Sequence, residues 1–330
     1  MNSASGIHWA IEGSLIVGIV RHRHLGVAVI AVCLLFASVF FWKESPVEMR
    51  FTLRSPESAA DVRGRYTQQL LLLALEKTRP EFGDYAVSFT PPMNTARAIA
   101  ALKKHHYDNF IAKLSYDPLL EQAGLTRGQT DIDLDITGYR VCFTRKALLP
   151  ELAKITSLES LRRFTHGQGQ GWADVQILKA NGFTVRENSE YENLFKMAAA
   201  GSVDLFCRGV TEVADEMRAH GDIPDLVIEP ELLLYYPLPR YLYVNNMDKT
   251  ALRRIEKGID LARQDGSWMR LWLENYADSL ELVNIAHRRR LVLENPLLQG
   301  LPQTNQRTPA IPVLSLFGVE PVPSMSESIE

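Results

Sequence analysis

From Met49 onward the chain alternates short runs rich in β-branched and aromatic residues with longer segments whose apolar residues recur at helical spacing. That alternation restricts it to an α/β domain assembled from strand–helix–strand units. Residues 49–54 predict a first strand, 65–78 a helix with a strongly apolar 70–75 stretch, and 85–89 a second strand. Thr90-Pro91-Pro92-Met93-Asn94 breaks that strand, and Asn94 is placed to cap a helix through Lys104 that puts Ala98, Ile99 and Leu102 on one face. Residues 109–113 predict a third strand and close a first βαβαβ unit.

A looser stretch, 114–137, leads into an alternating strand at 138–144. Thr156-x-x-Glu159 reads as a capping box, in which each side chain satisfies a backbone N–H near the other. His166-Gly167-Gln168-Gly169-Gln170-Gly171-Trp172 reads as a glycine-rich loop before a helix over 173–180, which Asn181-Gly182 ends. Strand, helix and strand at 184–186, 191–200 and 203–207 repeat the unit, followed by a helix at 211–220 and a short strand at 226–228. Residues 240–244 read as a returning strand, and Asp248 and Ser267 open two last helices, the first with Leu252, Ile255, Ile259 and Ala262 on one face.

Ahead of the domain, residues 25–42 form a run of eighteen without a charge, flanked by Arg21 and Arg23 on one side and Lys43-Glu44 on the other. The length suits a membrane-crossing helix, and the arginines orient its N-terminal side inward. A cleavable signal peptide is the alternative, with Ala37-Ser38-Val39 its best cleavage pattern. Either reading places the domain in the periplasm, where Cys142 and Cys207 are free to bridge or to remain buried thiols. With 36 Lys+Arg against 39 Asp+Glu and a formal charge of -3, nothing argues for a nucleic-acid partner.

The expected organisation is therefore a tail at 1–24, a signal-anchor helix at 25–42, a first lobe from 48–137 with 245–280, and a second lobe at 138–244. Residues 281–330 form a C-terminal extension, partly disordered, whose His287-Arg288-Arg289-Arg290 patch reads as a solvated face.

Several residues are placed for ligand chemistry. Gly169, Gln170 and Gly171 precede a helix, where backbone N–H groups and the positive helix end suit an anion; a flexible turn is the plain alternative. Trp172 beside them fits either a planar ligand or core packing. Arg208 directly follows an apolar strand, the place where open α/β sheets bind ligands, although Glu212 four residues on offers it an internal ion pair. Ser55, Glu57, Thr90 and Asn94 follow first-lobe strands and are candidates for the facing wall, with caps and turns as their ordinary roles. His105-His106 lacks the partners of a metal site, and no motif implies a cofactor.

The order of lobe, crossing, lobe and return resembles the type II periplasmic solute-binding proteins, family 3 branch, over about 49–276. Within it the chain is most similar to exported proteins carrying a GQGWADVQILKANGF-type segment, here residues 169–183, and a Tyr236-Pro237-Leu238-Pro239-Arg240-Tyr241 stretch. The resemblance implies an α/β fold of two lobes, each a mostly parallel sheet flanked by helices. Its cleft closes on a small solute for an inner-membrane transporter or a sensor. Amino-acid binders of the family carry T-x-x-R after the third strand and an aspartate after the second-lobe strand. Here those places hold Leu114-Ser115-Tyr116-Asp117 and Arg208-Gly209. A small anionic solute is the expectation. A cell-envelope hydrolase with a dispersed site, or a structural partner of an envelope complex, stands as the alternative; no G-x-S-x-G or H-E-x-x-H motif supports catalysis.

Overall fold

The computed structural model describes residues 48–299 and residue 301; the run at 25–42 and residues 302–330 lie outside the described residues. Among the described residues no helix is long and apolar enough to cross a membrane. The chain opens with β1 (Met49–Leu53), α1 (Arg65–Phe82), β2 (Tyr85–Phe89), α2 (Thr95–Lys103) and β3 (Phe110–Ser115). As expected from its side chain, Asn94 caps α2 by accepting from Arg97 N at 3.0 Å. Next come α3 (Pro118–Gln122) and β4 (Leu125–Arg127), then β5 (Tyr139–Arg145), α4 (Leu149–Leu152) and α5 (Leu158–Leu161). The capping box of α5 is Ser157 with Ser160, one residue beyond the Thr156–Glu159 pair read from sequence.

The glycine segment is β6 (His166–Gly169) rather than a loop, paired in parallel with β7 (Val185–Asn188) across α6 (Ala173–Ala180). After α7 (Tyr191–Ala199) and β8 (Phe206–Gly209) follow α8 (Val213–His220), β9 (Leu226–Ile228), β10 (Leu232–Tyr235) and β11 (Arg240–Asn245). The chain ends with α9 (Lys249–Gln264), α10 (Ser267–Val283) and β12 (Arg289–Val292).

Two five-stranded sheets define two lobes. The first runs β2-β1-β3-β11-β4, with β1, β2 and β3 parallel and β11 antiparallel to both β3 and β4. The second runs β12-β10-β5-β8 with β9 also on β5, and β5 is antiparallel to β8, β9 and β10. Both sheets are thus mixed. Arg240 already belongs to the first sheet, opposite Ser115, so the chain returns to the first lobe before residue 245. The predicted face of α9 is buried as read, and it lies close on α1 because Gly258 leaves no Cβ to meet the Ala74 carbonyl. Cys142 and Cys207 lie opposite each other on β5 and β8 and are disulfide-bonded.

Two passes between the lobes are tied by carboxylates in the stretch that reads as loose in the sequence. Asp131 accepts from the N–H groups of Asp133 (3.1 Å), Asp135 (2.6 Å) and Arg240 (3.0 Å). Asp133 accepts from Lys113 Nζ at 3.0 Å and Thr137 Oγ1 at 2.9 Å. Asp135 accepts from Tyr235 Oη at 2.9 Å and Leu238 N at 3.0 Å. Burial, with Asp135 and Asp133 nearby, pushes Asp131 up to about 8, and burial lifts Asp135 to about 6.

Residues 281–299 depart from the extension predicted there. Arg288 reaches the carbonyls of Val283 (2.6 Å) and Glu229 (2.6 Å), and Arg289 donates to Ile155 O, so these two arginines fasten β12 to the second lobe, while His287 and Arg290 of the expected solvated face are exposed. Beyond β12, Asn295 donates to Pro237 O at 2.8 Å; Leu297 is buried in the second lobe with Tyr236 and Leu238, while Leu301 is buried in the first with Phe110 and Tyr241.

Candidate functional site

The carboxyl ends of β1 and β3 face the carboxyl end of β8 and the start of α6, with Arg240 at the head of β11 between them. Together they enclose a cavity of about 130 Å³. Open α/β folds place ligands at such strand ends, where short loops bring polar groups together above a rigid sheet. The lobes touch across it: Asn94 Nδ2 donates to Ser189 O (3.2 Å), Ser58 Oγ to Glu192 (2.5 Å) and Arg65 to Asp215 (2.6 Å).

On the first wall, Arg54 donates to Met93 O through Nε (3.1 Å) and Nη2 (2.8 Å) and pairs with Glu57 at 3.0 Å. Arg63 grips Asp61 with two bonds of 2.7 and 2.8 Å and shares Glu57 at 2.9 Å. Burial raises the Asp61 carboxyl, but the Arg63 charge and hydrogen bonds overcome it and hold the group at about 2. Burial and the neighbouring Arg63 charge bring Arg54 down to about 10, against Glu57 and Asp61, with Arg240 adding to the fall. Apolar side chains of Leu53, Leu71, Ile99, Leu114 and Leu120 complete this wall.

The second wall is a closed ionic network. Arg140 donates to Asp174 (2.5 Å) and lies 3.7 Å from Glu212; Tyr236 Oη also donates to Asp174 (2.6 Å). Arg208 pairs with Glu212 at 2.9 Å and with Glu216 at 2.8 Å, and Tyr191 Oη donates to Glu216 at 2.7 Å. Burial lifts Glu212, yet Arg208, Arg140, Arg240 and Arg63 outweigh it and leave the group at about 2. The Trp172 indole packs against Phe206, with the Arg208 and Arg63 guanidinium carbons 4.6 and 5.5 Å from the ring centroid.

Of the residues singled out in the sequence, Ser55, Gly171, Trp172 and Arg208 line the cavity. Glu57, Thr90, Asn94, Gly169 and Gln170 do not. Glu57 bridges Arg54 and Arg63; Thr90 receives the Ser55 N–H at 3.2 Å and its carbonyl accepts from Ser55 Oγ; Asn94 caps α2 and touches the other lobe. Gly169 serves packing, since a Cβ there would fall inside the Trp172 indole. Gly171 needs glycine for its φ of +80° and its approach to Ala96 of the facing lobe. Arg208 lines the cavity but is 3% exposed and paired with two glutamates, the ion-pair role that Glu212 already offered in sequence. His105 likewise is not a free surface residue, because its Nε2 lies 3.0 Å from Asp248.

The residue that the sequence reading passed over is Arg240. Its backbone N–H is anchored to Asp131, its side chain lines the cavity, and among the described residues its guanidinium has no hydrogen-bond or ion-pair partner, with Nε buried. The signal available was its place directly after Pro237-Leu238-Pro239, where the chain re-enters the first lobe.

No family model matches the chain, and no curated protein matches it. Solved structures do. An ancestral arginine-binding protein bound to arginine aligns with a TM-score of 0.53 at 15% identity, over 70% of this chain and 99% of its own. A periplasmic binding protein of Salmonella typhimurium with high arginine specificity gives 0.52 at 16% identity, over 69% and 99%. The fold is that of the type II periplasmic binding proteins. A histidine kinase sensor domain with similarity to periplasmic binding proteins shares it too, at a TM-score of 0.52 and 14% identity over 71% of this chain and 97% of the other. Identities this low carry the architecture, and the ligand has to be read from the cleft of this chain.

Proposed function

We propose that this is an exported solute-binding domain of the periplasm, held at the inner membrane through residues 25–42, which closes two lobes on a small molecule bearing an anionic group. The observation that carries this reading is Arg240, a cation on the cavity wall without a partner of its own among the described residues. A guanidinium in a confined, poorly hydrated site is best satisfied by two oxygens of a planar anion. Site residues under this reading are Arg240 and Ser55 from the first lobe with Trp172 and Gly171 from the second. Closure on the solute then presents a new surface to a transporter or a sensor, as hinge-bending domains do.

The test is a thermal-shift screen of the purified chain in mild detergent against small carboxylates, phosphates, cationic amino acids and neutral sugars. Stabilisation by carboxylates or phosphates alone is the expected result, since a ligand that binds only the folded state raises its melting temperature. A shift confined to cations such as arginine would overturn the anionic part, and a folded domain that shifts with none would overturn the whole.

A further inference from the structure

The charges around the cavity define what a ligand can bring into it. Four acids line it: Asp61, Asp117, Asp174 and Glu212. Asp61 is gripped by Arg63, Asp174 by Arg140 and Tyr236, and Glu212 by Arg208 and the Gly209 N–H at 3.0 Å. Asp117 is the N-cap of α3, accepting from Leu119 N at 2.9 Å in a solvent-exposed hydrogen bond. On the cationic side, Arg54, Arg63, Arg140 and Arg208 have the partners given above, Lys113 pairs with Asp133 at 3.0 Å, and Arg240 stands open. An ammonium group entering here would meet Arg240, Arg54 and Arg63; apart from Asp117, which has no ion pair among the described residues, it reaches a carboxylate only by displacing one of three arginines. Breaking such a pair strands a buried charge, a large penalty.

Besides Arg240 Nε, two buried polar atoms of lining residues have no hydrogen-bond partner among the described residues: Arg140 Nε, whose guanidinium is otherwise held by Asp174, and Thr67 Oγ1 on α1. Leu71, Ile99, Leu114 and Leu120 add hydrocarbon to the first wall, beside the polar Ser55, Gln68, Thr95 and Ser115.

We infer that the cleft takes an apolar monocarboxylate without an ammonium group. Its carboxylate is held by Arg240, its body lies against the leucine and isoleucine side chains of the first lobe, and an oxygen substituent meets Thr67. The inference rests on the solute-binding reading and narrows it to oxo or hydroxy acids as against amino acids. An oxygen beside the carboxylate completes the Thr67 hydrogen bond, whereas an ammonium in its place brings a like charge beside the arginines.

Calorimetric titration of the purified chain with four probes separates the outcomes: 4-methyl-2-oxopentanoate, 4-methylpentanoate, L-leucine and L-arginine. The oxo acid is expected to bind tightest, 4-methylpentanoate about tenfold weaker for the lost Thr67 bond, and the two amino acids at least about thirtyfold weaker. Arg240→Gln should weaken the oxo acid by at least about thirtyfold with an unchanged circular dichroism spectrum, while Arg240→Lys retains part of the affinity. Thr67→Val should bring the two leucine-shaped acids to within about threefold of each other. Leucine or arginine binding as tightly as the oxo acid would overturn this inference and leave solute binding standing. No heat from any of the four at millimolar concentration would overturn the inference, and the solute-binding reading falls with it only if the thermal-shift screen is silent as well.

Discussion

Two arginines of the cleft, Arg208 and Arg240, are used in opposite ways. On the second wall Arg208 follows a strand, faces the cavity and is paired twice, because Glu212 and Glu216 stand four and eight residues further on, at the start of and within α8. At the head of β11, Arg240 also faces the cavity, but it meets Asp131 through its backbone N–H, and among the described residues its guanidinium has no ion pair. The same residue type is a structural tie in one place and an open ligand contact in the other. What decides between them is where carboxylates lie in space, and helical spacing displays that in sequence only for the first.

The contrast makes its largest prediction at Arg208. Arg208→Ala leaves Glu212 and Glu216 buried without their main partner and should destabilise the fold by about 4 kcal/mol in urea titrations, a typical penalty for breaking a buried pair. Arg240→Gln should cost well under about 1 kcal/mol, as no internal partner is lost. Equal losses at the two sites would erase the distinction between the two arginines.

A smaller effect tests whether the second lobe also keeps its neutral groups out of water. Burial holds the His166 imidazole of β6 down at about 4, whereas the unfolded chain takes up its proton near pH 6.5. Stability from this group is therefore complete above about pH 6.5 and declines as the pH falls towards 4, by about 2.5 kcal/mol at pH 4.5. Denaturation midpoints at pH 7 and pH 4.5 should differ less in His166→Leu than in the parent chain; parallel changes would mean that His166 titrates normally. Least of the three is Gly169→Ala, which forces the Trp172 indole off its seat at about 2 kcal/mol, read as a lower melting temperature. A neutral outcome would show that Trp172 moves freely and that the second wall is softer than its ionic network suggests.

Periodicity made much of this fold legible. The first three strands, α1, α2 and the apolar face of α9 follow from residue spacing, and the return strand from Tyr241-Leu242-Tyr243-Val244. Elements that depend on tertiary pairing were not legible. His166-Gly167-Gln168-Gly169 has no β-forming composition and is a strand because β7 and Leu205 flank it. β10 is a leucine run that is a strand because it lies between β5 and β12. In the site, Trp172 and Arg208 could be placed near a cleft from local sequence. Arg63 and Arg140 could not: Arg63, although paired with Asp61 two residues away, follows no strand that would mark it, and Arg140 meets Asp174 only when β5 and α6 pack together. Asp131, Asp133 and Asp135 lie in the stretch that reads as loose, because the groups they bind on Lys113, Tyr235, Leu238 and Arg240 come together only in the fold.

The path of the chain after β12 has a mechanical meaning. Leu297 sits in one lobe and Leu301 in the other, and Asn295 is bonded to Pro237 on the return pass, so the described end of the chain is packed against both lobes beside the two passes that join them. Under the proposed hinge, that packing favours a bend over a twist, and closure would bring Trp172 and Gly171 back over Arg240 in one alignment.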